Sequence, residues 1–211
     1  MASHRFFAPL KRRTDYEVKS NGETYHYSRY RLAIADDCNR RCVYCDCHED
    51  EIGGYESMET DHFRPYGNPA SGGQRDDPHN LVHACGTCNG FKSAHWPTGD
   101  PARAHNDNEG WIDPFEECRA DFFAVDSNGV AHELKAPAKY VIRQLRLNRD
   151  LFRRLRERRQ LLDALPRLLA PLKARWQAVH EGTVQGDAQA IAREGIRLIE
   201  LIEALQKTGL S

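Results

Sequence analysis

The chain has 211 residues, 40% hydrophobic and 29% charged, with a formal net charge of −1, enough to bury one modest core but hardly two independent ones. No run of 18 or more apolar residues occurs, which argues against a membrane-spanning helix, and the opening stretch lacks the apolar segment of a secretory leader. A cytoplasmic protein with no membrane partner is therefore expected.

The near-neutral total hides a strong segregation. Residues 45–126 hold 17 Asp and Glu against 5 Lys and Arg, a balance of −12, whereas residues 137–165 hold 9 Lys and Arg against 3 Asp and Glu, a balance of +6. Seven cysteines is an odd number, and four of them fall into CxxC pairs. Metal-bound thiolates in a reducing compartment fit that pattern better than a disulfide framework.

Three zones follow in chain order. Residues 1–37 form an N-terminal segment in which "ETYHYSRYRLAIAD" predicts extended structure from its aromatic and β-branched residues. Residues 38–129 are rich in Gly, Asp, Asn, Pro, Cys and His, with long loops such as "YGNPASGGQRDDPH" between short ordered pieces; loops of that length usually carry function. Residues 130–211 are helical by pattern. Pro137 suits a first helical turn, and Ile142, Leu145, Phe152, Leu155 and Leu162 recur near 3.6 spacing until Pro166. A second helix is predicted to carry Leu168, Leu169, Leu172, Trp176 and Val179 before Gly182. A third starts at Asp187, buries Ile191, Leu198, Ile202 and Leu205, and stops near Gly209.

The two CxxC pairs are Cys42 with Cys45 and Cys85 with Cys88. Each two-residue gap lets a tight turn aim both sulfurs at one ion, and four such sulfurs make a closed tetrahedral Zn²⁺ site. The zinc would be structural, because closure leaves no position for water or substrate; a binding-only zinc ribbon and a redox CxxC are the alternatives. Cys38, Cys47 and Cys118 are left over, and Cys47 or His48 is the minority replacement for an assigned ligand.

Inside the zinc-tied loop lie "TDHFRP" with Asp61 and His62, then Asn80 in "PHNLVHAC", then Asn89 and Lys92 in "CNGFK". This ordered set, over about Cys42 to His95, resembles the HNH endonuclease family, the ββα-metal nucleases whose four-cysteine branch reads DH, then NL, then CxxCNxxK. The resemblance implies an α+β fold: a two-stranded hairpin and a helix around a metal, stapled by the four-cysteine zinc site, with a helical C-terminal region. It implies a metal-dependent endonuclease that hydrolyses phosphodiester bonds and leaves a 5′ phosphate, with DNA the expected substrate and RNA not excluded.

Residue chemistry agrees with that assignment. His62 titrates near neutrality and can take the proton of an attacking water. By similarity Asn80 holds the His62 ring through its side chain or backbone carbonyl. Asp61, on the opposite side of an extended strand, binds a second ion, and Asn89 completes that site where many family members carry histidine. One carboxylate and one amide oxygen suit Mg²⁺ or Mn²⁺. Lys92, one turn beyond Asn89, contacts the scissile phosphate or is an ordinary solvated lysine. Arg64 either clamps a phosphate or pairs with an acidic neighbour such as Glu59.

Arg143, Arg146, Arg149, Arg153, Arg154, Arg156, Arg158 and Arg159 crowd one predicted helix. They read as a track for a nucleic-acid backbone or, alternatively, as the solvated face of an amphipathic helix. Two other functional classes stay open. The chain also resembles the small HNH subunit paired with an ATPase in Septu-type and retron-linked prokaryotic defence systems, which implies a protein partner such as an ATPase. A non-catalytic zinc-stabilised nucleic-acid-binding module is the other. A single-metal site cuts one strand at a time, so duplex cleavage implies two copies, as in a homodimer.

Overall fold

The computed structural model describes residues 6–181 and 188–207. Helix α1 spans Arg31–Asp37, strand β1 Met58–His62, strand β2 Leu81–Cys85 and helix α2 Gly86–Lys92. Strands β3 (Phe123–Val125) and β4 (Ala131–Glu133) form a second small sheet, followed by helices α3 (Ala138–Gln144), α4 (Asp150–His180) and α5 (Ala188–Lys207). This is a mixed helix and strand fold, as the sequence implied, with two two-stranded sheets among the described residues; the second, β3–β4, was not expected.

β1 and β2 run antiparallel, with Asp61 opposite Val82 and His62 opposite Leu81. They are joined not by a tight turn but by residues 63–80, which fold back over the strand ends. Gly73 makes that return feasible: a Cβ there would stand 2.0 Å from the Arg64 carbonyl oxygen. The β2 backbone runs directly into α2, whose first turn is capped by Cys85 Sγ accepting from the Cys88 N–H at 3.4 Å. Every residue of β2 is buried, so the strand fixes the core position of all that is attached to it.

One hydrophobic cluster runs from Phe7 through Ile34, Val43, Leu81 and Trp111 to Phe152 and Leu155. The N-terminal segment and the start of α4 therefore belong to the same core as the strands. At the β3–β4 turn Gly129 has φ of +71°, and a Cβ would meet the Arg153 carbonyl oxygen at 2.1 Å; this glycine lets α4 lie against the hairpin.

Several local expectations change. The stretch expected to be extended is helical from Arg31 to Asp37, because Leu32, Ala33 and Ala35 favour helix and the segment buries Ile34 and Ala35. The predicted helix from Pro137 to Pro166 is broken between α3 and α4, where Arg146 takes φ of +50°. Asn148 holds the break by donating to the Ala131 carbonyl at 2.9 Å and accepting from its N–H at 2.8 Å. Pro166 does not end the helix: α4 contains both Pro166 and Pro171. Both prolines are exposed, so water can satisfy the carbonyls they leave without an N–H partner, and the cost of proline stays local.

In the helical pair α4 and α5, Leu162, Leu169, Trp176 and Ile202 are exposed rather than buried, as are Ile196 and Ile199. The side chains of Leu168 and Val179, and Gly182, Asp187 and Gly209, lie outside the described residues. Among the described residues no helix is long and apolar enough to cross a membrane.

Candidate functional site

Four sulfurs come together first. Cys42, Cys45, Cys85 and Cys88 are all buried, and their Sγ atoms lie within 4.8 Å of one another. Cys45 Sγ stands 3.9 Å from Cys85 Sγ, close to the edge of about 3.8 Å that a tetrahedron with Zn–S bonds of about 2.3 Å requires. The donor set fits zinc. One knuckle is closed by the Cys42 N–H to Cys47 carbonyl and Asp46 N–H to Cys42 carbonyl bonds, both 2.9 Å, and is tied to β2 by the Val43 N–H to His83 carbonyl bond at 3.0 Å. Cys38 and Cys47 are buried but stand outside this group.

The second cluster lies where β1 faces α2. Thr60, Asp61, His62, Pro65, Tyr66, Gly67, Asn89, Ser93 and Ala94 line an open cleft of about 290 Å³. Asp61, His62 and Asn89 thus share one concavity. The strand supplies the first two and the first turn of α2 supplies the third.

The His62 ring is fixed by a group that the sequence did not suggest. Its Nε2 lies 2.8 Å from the Arg75 carbonyl oxygen. A carbonyl only accepts, so Nε2 carries the proton and Nδ1 of the neutral ring is left as the acceptor. The ring sits edge-on to Tyr27 and Tyr66, with centroids 5.0 and 4.7 Å away. Burial pushes the His62 pKa below its ordinary value, against the opposing pull of the Arg75 carbonyl and the Asp61 carboxylate.

Asn80 does not hold the His62 ring directly, contrary to expectation. Its Oδ1 accepts from the Arg64 N–H at 2.9 Å, while its Nδ2 donates to the Arg64 carbonyl at 2.9 Å and the Gln74 carbonyl at 3.0 Å. It staples the exit of β1 to the backbone one residue before Arg75. Its hold on the His62 ring is therefore transmitted through the loop.

Lys92 is the second correction. Instead of reaching into solvent toward a phosphate, it is fully buried, and its Nζ donates to the Asp61 carboxylate at 3.1 Å and to the His62 carbonyl at 2.8 Å. Tyr44 O–H donates to Oδ2 of the same carboxylate at 2.5 Å. Burial raises the Asp61 pKa, with Lys92 and Tyr44 opposing the rise. Burial likewise lowers that of Lys92, with Asp61 opposing.

Asn89 donates through Nδ2 to Glu59 Oε2 at 2.5 Å, which leaves its carboxamide oxygen for the cleft. Among the described residues no second group of three His, Cys, Asp or Glu donors converges. A hard divalent ion at the cleft would thus rest on one Asp61 oxygen and the Asn89 oxygen, with water or phosphate oxygens completing the octahedron. That sparse set fits Mg²⁺ or Mn²⁺, which keep several waters, better than zinc.

The basic residues divide. Arg64 neither pairs with Glu59 nor stands free for a phosphate: it donates to the Ser71 and Pro101 carbonyls and lies over Trp96. Arg156 is fully buried, bonded to the Gly129 and Leu147 carbonyls at 2.7 Å each and to Asn148 Oδ1 at 3.1 Å, so it is no part of a surface track. Arg159 is taken up by Asp46 and Glu51. Arg153 and Arg154 lie near Asp150 at 4.0 and 3.5 Å. Arg143 and Arg146 are exposed and Arg149 half-buried, with Arg146 and Arg149 over the Phe91 ring of α2 at 4.8 and 5.2 Å. Arg146 and Arg149 thus flank the helix that carries Asn89, whereas Arg143 lies near the Tyr140 ring of its own helix.

Reading the sequence missed Tyr44, Glu59, Tyr27, Tyr66 and the Arg75 carbonyl. Glu59 had a signal, since it shares the face of β1 with Asp61 two residues on; a backbone carbonyl has none.

Residues 42–95 match the family model described as HNH endonuclease. The Septu protein PtuB of Bacillus thuringiensis is 35% identical over 89 residues, which cover 40% of this chain and 32% of that protein. The chain therefore spans about a third of the length of the curated relative it matches. No solved structure matches it. The four clustered cysteines, the β1–β2–α2 unit and the family match coincide on one segment: the chain carries an HNH endonuclease domain over residues 42–95.

Proposed function

We propose that this chain is a metal-dependent endonuclease that hydrolyses phosphodiester bonds of DNA, with His62 as general base, and that it works in a prokaryotic defence assembly. The observation that carries the reading is the geometry of His62: the Nε2–H is held by the Arg75 carbonyl, which leaves Nδ1 as proton acceptor beside a cleft shared with Asp61 and Asn89.

In this reading His62 Nδ1 takes a proton from the water that attacks phosphorus. The Arg75 carbonyl and the two tyrosine rings keep the imidazole from swinging away. Asn80 fixes the loop that presents that carbonyl. Lys92 and Tyr44 hold Asp61 in place and oppose the rise in its pKa that burial causes, and Glu59 turns the Asn89 oxygen inward. Asp61 and Asn89 would hold Mg²⁺ or Mn²⁺, which when bound would neutralise charge on the phosphate and on the leaving 3′ oxygen. Arg143, Arg146 and Arg149 would add contacts to the phosphate backbone.

The likeness to a Septu protein supports a nuclease subunit that acts in the cytoplasm with a protein partner such as an ATPase. The excess of acidic residues in the segment 45–126 that carries the cleft supports the same reading, because it weakens unaided attraction of a polyanion. Purified chain with plasmid and Mn²⁺, beside a His62→Ala variant, tests the chemistry. Cleavage that needs Mn²⁺ and disappears in the variant is expected, together with stimulation by a co-expressed ATPase subunit. Equal cutting by both proteins rules out His62 as the base; retention of DNA without cutting, even with the partner, marks a binding module instead.

A further inference from the structure

Tyr66, beyond steadying the His62 ring, and the neighbouring Arg75 side chain offer the cleft surface that no step of the hydrolysis consumes. Tyr66 lines the cleft and is 53% exposed, its ring packed edge-on to His62. Arg75, whose carbonyl holds His62, extends its exposed guanidinium to 5.8 Å from the Tyr66 centroid and 5.7 Å from that of Tyr27. One of its nitrogens meets His26 Nε2 at 3.0 Å. Among the described residues no carboxylate lies within 4.0 Å of that guanidinium. An open tyrosine face and an uncompensated planar cation thus stand together beside the base.

We propose that Tyr66 and Arg75 form a subsite for an unpaired nucleotide next to the scissile phosphate, so that the substrate is a single-stranded or locally melted polynucleotide. The inference rests on the nuclease reading and names its substrate class. Two physical arguments carry it. A tyrosine face can stack only on a base that has left its duplex neighbours, and the adjacent guanidinium suits the phosphate of the same nucleotide. The electrostatics point the same way. With 17 acidic against 5 basic residues over 45–126, the segment that carries the cleft has a net negative charge that opposes the approach of dense negative charge. A duplex carries about one charge per 1.7 Å of axis, roughly twice the density of one strand. Stacking supplies affinity that does not depend on overcoming that repulsion.

Binding of labelled dodecamers by the zinc-loaded wild-type chain, without added Mg²⁺ or Mn²⁺, tests this by fluorescence anisotropy over a range of salt. The probes are single-stranded DNA, RNA of the same sequence, and the DNA duplex. Expected is at least about tenfold tighter binding of one of the single strands than of the duplex, since one stacked base contributes about 1–3 kcal/mol. Tyr66→Ala should lose about tenfold on that strand with an unchanged salt slope, and Tyr66→Phe should retain affinity. Arg75→Gln, which keeps the carbonyl on His62, should reduce the slope by about 0.7. Unchanged circular dichroism and melting would verify that the variants fold.

Equal or tighter binding of the duplex, or indifference of the single strand to Tyr66→Ala, overturns the subsite. The nuclease reading is judged separately, by cleavage. A chain that binds single strands through Tyr66 yet cuts nothing refutes only the nuclease, and one that cuts duplex and ignores Tyr66 refutes only the subsite.

Discussion

Replacing Lys92 by methionine removes the buried cation while keeping most of the side-chain volume. In the folded chain Lys92 Nζ is spread over the Asp61 carboxylate at 3.1 Å and the His62 carbonyl at 2.8 Å, with no exposed surface. Without it, Asp61 keeps only the Tyr44 hydroxyl and the His62 carbonyl loses that donor. Breaking a buried ion pair by removing one partner costs about 3–5 kcal/mol, a large share of the roughly 5–15 kcal/mol that stabilises a domain of this kind. Asp61→Asn in the same background removes the stranded charge, so the double variant should recover about 2 kcal/mol or more of the additive loss. Urea unfolding of the zinc-loaded single and double variants, followed by circular dichroism, measures the cycle. If Lys92→Met costs less than about 1 kcal/mol while weakening nucleic-acid binding, the lysine faces the substrate and the buried-pair argument is wrong.

Other outcomes follow from the same geometry. The four-sulfur cluster should bind one Zn²⁺ per chain by elemental analysis, and Cys85→Ser should release it and unfold the β1–β2–α2 unit, because Cys85 ends β2 and also caps α2; retention of both metal and fold would dismiss the staple. Burial lowers the His62 pKa from its ordinary 6.5, so the proton-accepting form persists to lower pH and the acid-side midpoint of kcat/KM should fall below 6.5. Because the folded chain then binds fewer protons than the unfolded one, this group makes stability decrease as pH falls through about 6.5, which unfolding at pH 7.5 and 5.5 compares between wild type and His62→Gln. The joint Arg146→Ala and Arg149→Ala variant should fold normally and lower the salt slope of single-strand binding by about 1.4, whereas Arg156→Ala should destabilise the chain by about 2–4 kcal/mol through the carbonyls it leaves unpaired; reversal of the two effects would show that burial was misassigned.

The parts of the fold legible in the sequence were those written in short spacings. The two CxxC pairs, Asp61 beside His62, and Asn89 three residues before Lys92 define local turns, a strand and a helix, and these assemble as the β1–β2–α2 unit with its sulfurs together. What escaped was set by long-range packing. Lys92 reads as a surface lysine because the carboxylate that takes it into the core lies 31 residues earlier. The Arg75 carbonyl has no side-chain identity to read, and its approach to His62 depends on the path of residues 63–80. The break before α4 did have a local sign in Asn148 and Asp150, both residues that favour helix starts, but the apolar period across it was stronger. Pro166 misled for the opposite reason, since an exposed proline does not end a helix whose other face is packed.

The arginine-rich helix shows why composition alone could not assign its role. Arg156 and Arg159 lie three residues apart yet neither reaches solvent as a free cation. Arg159 donates to Asp46 Oδ2 at 2.7 Å, to the Asp46 carbonyl at 2.9 Å and to Glu51 Oε2 at 2.9 Å. Asp46 sits in the knuckle formed by Cys42 and Cys45, and Arg119 donates from the far side to the Val43 carbonyl at 2.7 Å. Part of the basic helix is thus consumed in clamping the acidic turn that carries two of the four sulfurs. Through the bond from Val43 to His83 that clamp bears on β2, and through β2 on the strand holding Asp61 and His62. Before α4 begins, exposed Arg146 and half-buried Arg149 instead lie over the Phe91 ring of α2. Two cations therefore border α2, the helix whose Asn89 lines the cleft.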